Sequence, residues 1–168
     1  MKWLQRVLGV TPPEKEEGMT WEGSYWEVSP PKDLPAFLRG LADLVPEGSV
    51  LYLEVGSTSR ALRSYLEERK AAEPAPVAVT TVWPRPERFH MTITRENLEG
   101  LAKLAERHRV SRRHIANHLH VYRDGKLLLQ SYDFGSDDFA ISKDIPEERV
   151  KTFCAKLGLS CQDSEAMA

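Results

Sequence analysis

The chain has 168 residues, 41% of them hydrophobic and 29% charged, with a formal net charge of −2. That is the size of one globular domain and the composition of an ordinary folded protein, neither disordered nor membrane-embedded. So small a charge gives no basic footprint for nucleic acid, and no apolar run approaches the ~20 residues of a membrane span.

Residues 1–20 read as a short amphipathic segment and linker. Trp3, Leu4, Val7 and Leu8 share one side of a turn too short to hold as an isolated helix, so it is expected to fold back on the domain. Met1 to Val10 lacks the small-residue cleavage site of a secretory signal. Two prolines, a charge run and a glycine follow between Thr11 and Thr20.

A single globular domain is expected over 21–158. Trp21 to Ser29 is aromatic-rich and strand-like, stopped by Pro30-Pro31. Asp33 caps a predicted helix reaching Val45, with Phe37, Leu38, Leu41 and Leu44 at helical spacing. Ser49 to Val55 is almost wholly apolar, as a central strand covered on both faces would be. Ser57 or Thr58 is the expected cap of a helix carrying Leu62, Tyr65 and Leu66, which the proline-rich stretch from Glu73 closes.

Val77 to Trp83 is a further β-branched run, after which Pro84 and Pro86 forbid regular structure. Phe89, Met91 and Ile93 alternate with polar residues, the pattern of a half-buried strand. Thr94 caps a helix with Leu98, Leu101, Ala102 and Ala105 inward, and the basic run Arg107 to Arg113 reads as its solvated end. Hairpin strands around Asp124-Gly125, a short strand at 138–142 and a helix from about Pro146 to Leu157 complete the domain. Residues 159–168 are expected to form a polar tail.

This order predicts an α/β (mixed α+β) fold: a single-layer mixed sheet of about six to seven strands with helices packed on it. The first half reads as crossover units. The last third reads as a β-hairpin meander followed by a helix.

The chemistry concentrates in the hairpin, because His114, His118 and His120, three of the five histidines, fall within seven residues. Asp-Gly between apolar-alternating runs predicts a two-residue turn with Arg123 facing Lys126. Counting back from it sets Leu129 opposite His120 and Ser131 opposite His118. One face then carries His118, His120, Tyr122, Leu127, Leu129, Ser131 and Asp133. The other carries Leu119, Val121, Leu128, Gln130 and Tyr132, and is the expected core side.

Two imidazoles at i and i+2 with a cross-strand carboxylate are ligand types that a divalent metal accepts, so His118, His120 and Asp133 form a candidate metal or acid–base site. His114 joins only if 111–117 is helical and folds over. The bland alternative is half-buried histidines hydrogen-bonded to Asp133, Ser131 or a carbonyl.

A second candidate is Gly56, Ser57, Thr58, Ser59 and Arg60, where a helix N-terminus, three hydroxyls and an arginine suit a phosphate. Ordinary capping explains those hydroxyls equally well, and the stretch lacks a Walker lysine.

The two cysteines, Cys154 and Cys161, form no C-x-x-C pair and suit a reduced, cytoplasmic protein. Trp21, Tyr25, Trp26 and Trp83 are residue types that interfaces favour. The reading as a whole is a small soluble protein of bacterial type with no required cofactor, acting by binding rather than chemistry. Its expected partner is another protein or its own copy through an edge strand, with no nucleic-acid or membrane partner.

Overall fold

A computed structural model of the chain describes residues 18–78, 86–135 and 139–164, with Arg113 described by its backbone alone. The expected N-terminal turn, Trp83 with most of its strand, and the carboxylates of Asp137 and Asp138 lie outside these residues.

The described strands are β1 Tyr25–Val28, β2 Val50–Val55, β3 Glu87–Thr92, β4 His118–Arg123, β5 Lys126–Ser131, β6 Phe139–Ser142 and β7 Cys161–Asp163. They form one open sheet in the order β3-β2-β4-β5-β6-β1-β7. The helical segments are α1 Leu34–Leu44, α2 Arg60–Glu68, α3 Arg95–His108, the single turn α4 Arg112–Ile115, and α5 Glu147–Leu157. A single sheet with helices packed on it is therefore the fold, as the sequence predicts.

Every hydrogen-bonded strand pair is antiparallel. The crossovers read from the sequence are nevertheless present. The β1–α1–β2 and β3–α3–β4 connections each link strands running the same way, and so does β6–α5–β7 in the second half. The last two each land beyond one intervening strand of opposite direction, whereas β1 and β2 are separated by β6, β5 and β4. The β2–α2–β3 connection, also read as a crossover, instead joins antiparallel neighbours.

Caps fix the helix starts. Asp33 accepts from the Ala36 N–H and Thr94 from the Asn97 N–H, as expected. At α2 the cap is Ser59, which accepts from the Leu62 N–H, rather than Ser57 or Thr58. The chain runs beyond Val55 through those two residues before it turns helical at Arg60.

The principal core lies between the sheet and helices α1, α3 and α5. Phe37 is its hub, with ring centroids 5.4, 5.8 and 5.9 Å from Phe134, Phe139 and Phe153. Leu51, Leu53, Leu119, Val121, Leu129 and Ile141 supply the sheet side and are fully buried. A smaller cluster of Val50, Tyr52, Ala71, Val77, Tyr122 and Leu127 lies on the other face of the sheet.

The polar tail expected after Gly158 contains structure. Gly158 closes α5 in the left-handed conformation (φ 64°), and the Leu159 N–H returns to the Cys154 carbonyl at 2.9 Å. The turned chain lays β7 antiparallel on β1. Both sheet edges are thereby restricted. β7 has three residues, and the outer edge of β3 is bonded by the 69–71 segment, through Ala71 N–H to the His90 carbonyl and Thr92 N–H to the Arg69 carbonyl. Among the described residues, no helix is long and apolar enough to cross a membrane.

Candidate functional site

The hairpin turns where the sequence places it. Asp124 and Gly125 both take positive φ (50° and 76°), as a two-residue turn of this type requires, and Arg123 faces Lys126. Past Tyr122 the expected register fails. Tyr122 pairs with Leu127 but Val121 pairs with Leu129, so Leu128 is the extra residue of a β-bulge. The three leucines 127–129 explain it. Leu127 belongs to the helix-free face, whereas Leu128 and Leu129 both enter the helix-side core. A strand without alternation accommodates two consecutive inward side chains only by bulging.

The slip corrects the faces read from the sequence. His120 opposes Gln130 rather than Leu129, and Ser131 opposes Leu119 rather than His118. Gln130 and Tyr132 leave the core side and join the histidines, while Leu129 and Ser131 go the other way.

The helix-free face can be written as rows across the strands. One row runs His90, Tyr52, His120, Gln130, Ala140, Glu27 and Gln162 over all seven strands. A neighbouring row is Arg88, Glu54 and His118. The rings touch in sequence. Tyr52 stacks on His120 with centroids 5.6 Å apart and packs on His90 at 5.0 Å, while Tyr132 stands edge-on to His118 at 5.4 Å and His120 at 5.3 Å.

Hydrogen bonds anchor two of these imidazoles. The Tyr122 hydroxyl accepts from the Ala75 N–H at 3.1 Å and lies 3.0 Å from His90 Nδ1. His118 Nδ1 accepts from the Asp133 N–H at 3.0 Å. Burial, with Lys70 and Arg88 adding to it, pushes His90 down to about 4. Burial, reinforced by His118, pushes His120 down to about 3. Both rings are neutral at pH 7. Tyr122 and Tyr132 are raised by burial.

Two atoms on this face lack partners. His120 is only 1% exposed, yet its Nδ1 is buried without a hydrogen bond, as is Oε1 of its cross-strand neighbour Gln130. An unsatisfied buried polar atom costs on the order of 1–3 kcal/mol.

The structure brings His118 and His120 together but gives Asp133 a different part. Asp133 is exposed in the left-handed region (φ 44°), and it reaches His118 through its backbone N–H rather than its carboxylate. With Nδ1 occupied as an acceptor, neutral His118 carries its proton on Nε2 and has no free lone pair for a metal. His114 lies on α4 but faces outward, with Nδ1 2.6 Å from the Ser111 hydroxyl. Among the described residues, no group of three or more His, Cys, Asp or Glu has a spacing that could hold a metal ion.

In the 56–60 stretch, Gly56 packs toward the Asn117 side chain, Ser59 caps α2, and Ser57 and Arg60 are exposed. Thr58 Oγ1 is without a partner.

Sequence reasoning missed Tyr52, Glu54 and His90. Their signal was available as the alternate positions of β2 and β3. Gln130 and Tyr132 were assigned to the wrong face because of the bulge, for which the unalternating leucines were the cue. The chain matches no protein-family model, no curated protein and no solved structure.

Proposed function

We propose that this protein is a non-enzymatic binding module whose working surface is the helix-free face of the sheet, and that its partner is another protein or a second copy of the chain. The observation carrying this reading is the pair of adjacent orphans, His120 Nδ1 and Gln130 Oε1, in a row of aromatic and polar side chains across the helix-free face. Chemistry is the weaker reading. A base with a pKa near 3 is poorly matched to proton abstraction at neutral pH. Burial also raises the Cys154 thiol to about 12, far from a thiolate nucleophile. The restricted edges of β3 and β7 favour a face-on contact over strand addition.

The test is His120→Phe, which keeps the ring and removes the orphan. If the polar atoms are retained for a partner, the variant gains about 1 kcal/mol, a rise of about 2–4 °C in melting temperature for a chain of this size. A loss of several degrees would show a structural imidazole and defeat the reading. Sedimentation velocity over a wide concentration range, comparing wild type with Tyr132→Glu, separates self-association from a different protein partner.

A further inference from the structure

One cleft on the helix-free face has a more definite chemistry. It encloses about 450 Å³ between the start of β1 and the far end of β5. Trp21, Tyr25 and Tyr132 form its walls, and Ala140 lies between Gln130 and Glu27 in the cross-strand row. Neighbouring strands are about 4.8 Å apart, so Glu27 and Gln130 stand roughly 10 Å from each other across a methyl-sized floor. The alanine makes the concavity, since a longer side chain there would fill it.

The lining has one electrical sign. Trp21 and Tyr25 meet edge to face, with centroids 5.9 Å apart at 89°. Among the described residues, Tyr132 is the exposed large hydrophobic residue, at 40% exposure. Aromatic faces carry partial negative charge. Glu27 adds a half-buried carboxylate to the lining. The neighbouring Lys143 does not neutralise the cleft. Its ammonium sits 2.6 Å from Asp163 and 5.7 Å from the ring of Trp26, which points to the opposite side of β1 from Tyr25 and Glu27.

Rings and a carboxylate together select a cation. Most of the surface is apolar, and a primary ammonium would leave N–H donors unsatisfied against it. Methyl groups on nitrogen would instead pack on the rings and on Ala140. We propose that this cleft binds an alkylated ammonium group, as in a choline-like molecule or an N-methylated lysine side chain. The proposal deepens the binding-module reading by naming what the face recognises, and it rests on that reading.

The experiment titrates the full chain with choline, with acetyl-trimethyllysine-amide, and with 3,3-dimethylbutanol, the uncharged isostere of choline. Indole fluorescence and amide NMR shifts give the readout. Saturable binding of at least one ammonium is expected, with shifts at Trp21 and Tyr132. The neutral alcohol should bind about tenfold more weakly, because it keeps the shape and loses the cation–π attraction.

Glu27→Gln and Tyr132→Leu should each weaken the ammonium by severalfold with little change in melting temperature, since Glu27→Gln keeps the side chain's shape and Tyr132 is 40% exposed. Preference for choline or for the lysine derivative identifies the source of the group. The proposal is overturned if neither ammonium gives a saturable shift at tens of millimolar, or if the alcohol binds as well. If it fails while His120→Phe still raises the melting temperature, the binding face stands and only its ligand chemistry is wrong.

Discussion

The two faces of this sheet are built from the same strands and obey different rules. On the helix side, Leu51, Leu53, Leu119, Val121, Leu129 and Ile141 are fully buried and meet Phe37 and its aromatic neighbours. Nearly every side chain there is explained by the area it removes from water. On the helix-free side, alternate residues of the same strands are Tyr52, Glu54, His90, His118, His120 and Gln130. Burying these costs desolvation, and two of their polar atoms are left unpaired. A domain whose stability is met on one face can carry an expensive second face.

The widest separation between the faces should appear on truncation. Phe37→Ala removes the hub of the helix-side core and should cost about 3–5 kcal/mol. Tyr132→Ala, at the exposed end of the other face, should cost less than about 1 kcal/mol. Urea denaturation of both variants checks the contrast, and equal losses would break it.

Acid should act through the helix-free face. His120 and His90 have folded-state pKa values of about 3 and 4, below the unfolded value near 6.5. The unfolded chain therefore binds more protons in that window. Their contribution is fully present above pH 6.5 and is lost as pH falls toward 4 and then 3. The slope should approach about 1.4 kcal/mol per pH unit for each imidazole. Melting curves from pH 7 to pH 4 should flatten in His120→Phe relative to wild type. Parallel curves would show that burial does not hold the ring neutral.

Ser131 sharpens the comparison further. The bulge turned it to the helix side, where its hydroxyl is buried without a partner. Ser131→Ala should gain up to about 1 kcal/mol and leave ammonium or partner binding untouched. An effect on binding would mean that the two faces communicate. The smallest expected effect is Arg39→Ala, which removes exposed ion pairs from α1 to Glu99 and Glu106 of α3 at 2.7 Å. It should cost less than about 1 kcal/mol, and less again at high salt.

The legibility of the chain divides along similar lines. Asp33, Thr94 and Asp124-Gly125 act over a few bonds, so their caps and turn could be read directly. The helix faces of α1 and α3 followed from period alone. β7 was missed because its three residues carry no alternation and gain strand structure only by pairing with β1. The candidate site was half legible. His118 and His120 do share a face, but their partners do not follow from hairpin counting once Leu128 is inserted. Tyr52, His90 and Glu27 arrive from strands distant in sequence.

By itself, then, the sequence determined local conformation and the inward side of each helix, because propensity, capping and hydrophobic period are properties of short windows. It also determined that a single sheet with helices would form. Only the tertiary structure decided the strand order, the bulge and the row from His90 to Gln162. Cross-strand neighbours are chosen by global packing, and a one-residue slip driven by two leucines seeking the same core reverses every side chain beyond it.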